Sequence, residues 1–468
     1  MPRKKANGLS RQPEHFGAAG VRPLTQVLEL LASRLMCFRV RLFWLIVLTA
    51  CGLNASGERE SGLVVRAQSD FDRVEMSGRP QIQNTSRCVQ SQAAAISVAG
   101  RAELAALYFR KGYCELIEAT LNGRTADFQE AAGALAKGME AWPDSLTRIG
   151  KGAARQPAPS DLAVLAGISA LLGGSGNAQA SADAAKQISA AVERPSCQGS
   201  LLAAGFCQTL VQVGHEWLGW LALKRNDPID AARELSAVPE SPWARWAAGQ
   251  RAFRDRNYAE AATQYQQAVQ LWTEARQTAG IPQRLAPQPD LPAAWMELGK
   301  AQLIAGDTTA AKASLDTAIK ANSSLARAIY YRARAEELQG QDEAALADYA
   351  LASRTAFANA QDLKSGEAHL YRGILFFRRK DYARAEDEFA SALNFGIALD
   401  LLADAEAWRH MAAVAQGACG ASRQMLEDSL TRVLPLFPKP QARSVAAACP
   451  LSSEAGPVRG GAQRPGAE

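Results

Sequence analysis

The stretch Trp295-Met296-Glu297-Leu298-Gly299, followed by Ala311, Leu315 and Ala318, decides how this chain folds. Counted from Gly299, the three later residues stand at +12, +16 and +19. The same offsets return 34 residues on, where Ala333 leads to Ala345, Tyr349 and Ala352. They return again from Gly373 (Ala385, Phe389, Ala392), from Gly249 (Ala261, Tyr265, Ala268) and from Gly219 (Ala231, Leu235, Val238). Most units carry a break between their halves: Gly306-Asp307, Gly340-Gln341, Arg256-Asn257-Tyr258 and Lys380-Asp381-Tyr382. Gly, Asn and Asp at such points end one helix and start the next. Each unit therefore predicts two helices. The small residue of the first sets a close crossing, and the large residue at +16 fills the remaining hole. One such pair cannot bury its apolar face alone, so the pairs must stack.

Trp295-x2-Leu298-Gly299 and the 34-residue period resemble the tetratricopeptide repeat (TPR) family. The resemblance covers residues 210–397 and implies an all-α solenoid of helix pairs wound into a right-handed superhelix, with a TPR core over 201–397. Before it, Gly112 with Phe128, Ala131, Leu135 and Gly138 predicts a looser pair, and Ala163–Val192 with Gly167 predicts another, giving degenerate pairs over 87–200. After it, Trp408 and a turn at Gly417 predict capping helices over 398–450. Residues 451–468 are rich in Gly, Pro and Ser, the composition of a disordered tail. Two connections depart from the period. Thr278–Pro292 holds Pro282, Pro287, Pro289 and Pro292 and cannot be one helix. The step from 333 to 373 is 40 rather than 34 residues, so the chain lengthens around Ala356–Gly366.

The composition agrees with stacked helices: 48% hydrophobic, much of it alanine, and only 7% aromatic. The formal charge of +5 comes from the first 50 residues, which hold eight of the 52 Lys/Arg and two of the 47 Asp/Glu; the remainder has 44 bases and 45 acids. No clustered cations in that remainder suggest a nucleic-acid footprint. Leu42-Phe43-Trp44-Leu45-Ile46-Val47-Leu48 is too short to span a bilayer and reads as the apolar centre of a signal peptide, preceded by Arg39 and Arg41. Leu48-Thr49-Ala50-Cys51 resembles the lipobox of bacterial lipoproteins, which implies acylation at Cys51. Met36 begins a compact positive start at the right distance, an alternative origin of translation. Gly52 in place of Asp resembles outer-membrane sorting. The expectation is a leader over 1–51, a flexible tether over 52–86, and an outer-membrane lipoprotein facing the periplasm.

Six cysteines lie beyond the leader: Cys88, Cys114, Cys197, Cys207, Cys419 and Cys449. In an exported chain an even number invites disulfides, with fifteen possible connectivities. Proximity favours Cys88–Cys114, Cys197–Cys207 and Cys419–Cys449; buried free thiols are the alternative. No cysteine pair has zinc spacing, the four histidines are scattered, and no nucleophile elbow, kinase signature or phosphate loop occurs. The expectation is a chain that is not an enzyme and holds no metal and no cofactor.

The family's first helices line an inner groove, with inward positions at −6, −3, +1 and +4 from the small residue. Carried onto this sequence they give Glu216, Trp220, Leu223, Trp243, Trp246, Gln250, Phe253, Met296, Lys300, Leu303, Arg327, Tyr330, Arg334, Glu337, Leu370, Ile374 and Phe377. Aromatic residues and arginine dominate binding hot spots, so the set suits a partner's extended peptide or helix. The function implied is that of a scaffold or assembly factor of the bacterial envelope. The alternatives are a ligand- or glycan-binding envelope protein and an accessory subunit of an enzyme complex.

Overall fold

The structure, a computed structural model, describes residues 62–77, 80–145, 159–174, 177–203, 205–278, 284–358 and 363–449. The leader, Cys51 and the tail over 451–468 lie outside these residues. Nineteen helices and no strand occur among the described residues. The first, α1, covers residues 62–75. It is followed by α2 (Ile82–Ile96), α3 (Arg101–Asn122), α4 (Thr125–Ser145), α5 (Ser160–Gly173), α6 (Ala178–Glu193), α7 (Phe206–Lys224) and α8 (Pro228–Leu235). Next come α9 (Pro242–Arg254), α10 (Tyr258–Thr278), α11 (Leu291–Ile304), α12 (Thr308–Ala321), α13 (Ala326–Leu338) and α14 (Asp342–Ala358). The chain closes with α15 (Ser365–Arg378), α16 (Tyr382–Asn394), α17 (Leu399–Ala415), α18 (Ala421–Thr431) and α19 (Lys439–Ala447).

The five units read from the sequence are α7/α8, α9/α10, α11/α12, α13/α14 and α15/α16. A Cβ added at Gly299 would lie 2.6 Å from Leu315 Cγ, at Gly219 2.5 Å from Leu235 Cγ, and at Gly249 2.5 Å from Tyr265 Cδ1. The close crossing is therefore made by the small residue against the +16 side chain, in every case from the same unit. Gly373 meets Phe389 likewise at 2.6 Å, and outside the core Gly112 meets Leu135 at 2.5 Å. The +12 alanines Ala261, Ala311, Ala345 and Ala385 are all fully buried. Each pair then packs its second helix on the first helix of the next pair.

The turns repeat as closely as the cores. Asn226, Arg256, Gly306, Gly340 and Lys380 each stand seven residues after the small position, and each has a positive φ between 57° and 94°. This left-handed residue lets the chain reverse, a role glycine fills at two of the five places. The residue that follows caps the second helix where it is Asp: Asp227 accepts from the Asp230 amide at 3.1 Å, Asp307 from Ala310 at 2.9 Å, and Asp381 from Arg384 at 3.3 Å.

The expected tether is not seen as such. The tether expected over 52–86 is folded from residue 62. Ala67, Phe71 and Val74 follow three- and four-residue steps, which put them on one face of α1, and all three are fully buried. Phe71 meets Tyr113 edge-on at 5.6 Å, and the Gln92 amide donates to the Ala67 carbonyl at 2.7 Å. These side chains, at helical spacing, pack α1 on α2 and α3 despite the polar surroundings.

The three cysteine pairs favoured by proximity are bonded, with Cα–Cα distances of 6.2 Å (Cys88–Cys114), 5.8 Å (Cys197–Cys207) and 5.5 Å (Cys419–Cys449). They tie α2 to α3, the preceding loop to the first turn of α7, and the turn before α18 to the residue two beyond α19. The C-terminal cap closes on Trp408, which is buried and donates its indole N–H to the Leu436 carbonyl at 3.2 Å.

Candidate partner-binding groove

First helices of neighbouring pairs also touch one another, α7 on α9, α11 on α13 and α15 on α17, whereas second helices make no contact of comparable extent. This asymmetry puts the first helices on the inner side of the stack.

The inner positions divide into two groups. Trp243, Met296, Tyr330, Leu370 and Phe377 are buried, at 8% exposure or less, so they are not part of an open surface. Leu370 and Phe377 face neighbouring helices, and Phe377 packs on Tyr382 and Trp408 at ring distances of 5.0 and 5.3 Å. Leu303, Ile374 and Glu337 are buried as well. Inward position on a repeat does not guarantee access, because the long side chains of adjacent pairs fill the inner curve themselves. Trp220, Trp246, Phe253, Lys300 and Arg334 keep partial exposure. Trp246 is wedged between Tyr265 (4.5 Å) and Trp272 (5.6 Å), which makes it as much a wall of the core as a contact surface.

The accessible members pair across neighbouring repeats. The Lys300 ammonium lies 4.6 Å over the Phe253 ring, and the Arg334 guanidinium lies 4.2 Å over Tyr371. Arg334 also reaches Glu337 at 2.7 Å, a carboxylate shared with Arg378. Burial pushes the hydroxyls of Tyr330 and Tyr349 well above the ordinary tyrosine range and that of Tyr331 to about 12, so this part of the groove carries neutral phenols beside fixed cations.

Toward the N-terminal end the groove deepens into a pocket of about 720 Å³ between α3, α4, α5, α7, α9 and α10. Part of its wall is not helical. Residues 284–289 of the proline-rich connection fold back against the first helices, and Leu285 is buried in the same apolar cluster as Leu165, Leu210 and Trp217. The Trp217 indole N–H donates to the Leu285 carbonyl at 2.8 Å, and that of Trp243 to the Pro287 carbonyl at 2.9 Å. Glu216 faces this pocket; burial raises its carboxyl above the usual carboxylate range, opposed by a hydrogen bond from Ser241.

The sequence reading missed Trp217, Trp272 and Leu285 as parts of one site. A signal for it exists in the residue chemistry. Prolines strip the segment of N–H donors while its carbonyls still need partners, and tryptophan is a side chain that only donates. The proximity of the two is set by the fold.

No family model matches the chain, and no curated protein matches it. Among solved structures the chain is similar to MamA from Desulfovibrio magneticus RS-1 (18% identity, TM-score 0.31, covering 39% of this chain and 94% of that one). It is also similar to yeast Tom70 (12%, 0.34, 78% and 85%) and to a tetratricopeptide repeat protein from Parabacteroides merdae ATCC 43184 (15%, 0.28, 63% and 97%). The fold is plain from the chain itself, in the small-residue crossing repeated within each pair and the packing of each second helix on the next first helix. The helix pairs are of tetratricopeptide type.

Proposed function

We propose that this chain is a protein-binding scaffold of the bacterial cell envelope, tethered by a lipid on Cys51, whose inner groove holds an extended peptide or a helix of its partner. The observation that carries the reading is the partly exposed row of cation-on-aromatic contacts, Lys300 over Phe253 and Arg334 over Tyr371, on the inner helices of neighbouring pairs. Aromatic rings give large contact area at low entropy cost, and tyrosine and arginine are enriched at binding hot spots. The lipobox-like Leu48-Thr49-Ala50-Cys51 supports the anchor, and the disulfides support an oxidising compartment.

Site-specific photocrosslinkers at Phe253 and Arg334, with Gln267 on the outer face of α10 as the control, test the groove in living cells. The same partner should be captured from both inner positions and not from Gln267. Capture from Gln267 alone, or none from the inner positions, would overturn the reading. Cys51→Ala should release the chain from the membrane fraction and abolish incorporation of labelled palmitate. A second reading, binding of a small ligand or glycan, is favoured by one observation, the aromatic-walled pocket of about 720 Å³. Its size suits a drug-sized molecule.

A further inference from the structure

The connection between α10 and α11 does more than join two helix pairs. Residues 284–289 sit in the groove as a bound peptide would: one apolar anchor, Leu285, is 2% exposed, and two carbonyls are held by indole N–H groups from two different repeats. Over Pro287–Asp290 the chain makes neither helix nor strand. Its prolines at 287 and 289 offer acceptors and no donors, and the indole N–H groups of Trp217 and Trp243, in the wall opposite, face them as donors.

That wall holds one donor more than the segment uses. Trp272, 5% exposed, lies 4.8 Å from Trp243 in ring-centroid distance and lines the same pocket. Its indole N–H is buried with no hydrogen-bond partner. Buried polar groups without partners are uncommon and call for an explanation. The pocket also extends beyond the segment, past Leu285 to Ile117, Phe128 and Leu172, so the site is longer than its present occupant.

We propose that the pocket walled by Trp217, Trp243 and Trp272 is a docking site for an extended proline-rich peptide of a protein partner, and that the chain's own residues 284–289 occupy it until that peptide displaces them. The inference rests on the scaffold reading and gives the partner a chemistry: an apolar anchor followed within two residues by proline, in a stretch poor in amide donors. A partner with one more carbonyl in register would satisfy Trp272, which the tethered segment does not. The advantage matters because a tethered occupant competes at a local concentration on the order of millimolar. Displacement leaves the stacking of α10 on α11 intact, since that contact is made by the helices themselves.

The test uses the full chain and a fluorescent nine-residue peptide, Arg-Leu-Ala-Pro-Gln-Pro-Asp-Leu-Pro, which copies residues 284–292. Leu285→Asp evicts the tethered copy and should tighten binding of the added peptide at least 10-fold over the unsubstituted chain. Adding Trp217→Phe, which keeps a ring and removes the donor, should cost that gain. Circular dichroism and melting establish that each variant is folded, and Leu285→Ala serves as a gentler eviction. A folded Leu285→Asp or Leu285→Ala chain that binds no tighter than the original would overturn the proposal. So would indifference to Trp217→Phe, or loss of folding in both Leu285 variants, which would make the segment a fixed part of the core. Crosslinking from Phe253 and Arg334 reads a different stretch of groove, so the scaffold reading can stand if this site fails.

Discussion

The Tyr349 hydroxyl donates to Glu337 Oε2 at 2.6 Å, joining the +16 residue of α14 to the +4 residue of α13. The same carboxylate takes Arg334 at 2.7 Å and also pairs with Arg378 from the next helix pair. Its side chain is only 3% exposed, so removing it leaves cations and a phenol facing a buried gap. Glu337→Ala should cost about 3 kcal/mol in urea unfolding at neutral pH, reduced from the extreme for buried pairs because the arginines keep some solvent. Tyr349→Phe should cost about 1–2 kcal/mol. A Glu337→Ala loss below about 1 kcal/mol would show that the cluster behaves as a surface pair.

The small-residue crossings make a graded prediction. Gly299→Ala pushes a methyl against Leu315 Cγ, and should lower stability by about 1–2 kcal/mol as that side chain shifts. Gly366→Ala should cost more. Its new methyl would meet the carbonyl oxygens of Gly396 and Ala392, backbone atoms that have no alternative rotamer. Thermal melts of the two variants should therefore rank Gly366→Ala below Gly299→Ala.

The left-handed turn position separates glycine from the rest. Gly340 has φ +72°, and Gly340→Ala should lose about 1 kcal/mol. At Lys380, φ +64°, the native side chain already bears this strain, and Lys380→Gly should gain about 0.5 kcal/mol after the added freedom of the unfolded chain is counted. Denaturant midpoints with unchanged slope would read both. Opposite signs at the two sites are the outcome that matters.

Glu216 gives stability a pH dependence of definite sign. Its folded carboxyl holds its proton more tightly than the unfolded one, chiefly through burial. The stabilising contribution is complete below the unfolded value of 4.5 and is lost as pH rises through the higher folded value. Glu216→Gln should match the native chain near pH 4 and exceed it increasingly toward neutrality. Melting temperatures between pH 4 and 8 check this; a difference that stays constant with pH would rule out ionisation as the cause.

The disulfides should matter most where they close long loops. Cys88–Cys114 and Cys419–Cys449 span 26 and 30 residues, and Cys197–Cys207 only 10. On the chain-entropy estimate each longer bridge contributes about 3.5 kcal/mol and the shorter about 2.7 kcal/mol. Calorimetry with and without reductant should show a large drop in melting temperature. Paired Cys→Ser substitutions at 88 and 114 should cost more than those at 197 and 207.

The sequence by itself determined the helix pairs, their register and their turns. Gly299 with Leu315, or Gly373 with Phe389, are contacts within one hairpin of some 30 residues, and local periodicity encodes them directly. The cysteine pairs were legible for the same reason, since each closes a short stretch. The tether over 52–86 was misread because the steps from Ala67 to Phe71 and Val74 are short and sit among polar residues. Only the tertiary structure decided which inward side chains stay accessible. Leu370 and Phe377 share the helical positions of Trp246 and Phe253, yet they are buried because adjacent pairs and the C-terminal cap close over them. It alone also brought Leu285 to Trp217, 68 positions away in sequence, where a proline-bearing segment meets two indole N–H donors. Spacing along a chain records packing between neighbours; occupancy of the groove depends on curvature summed over many repeats.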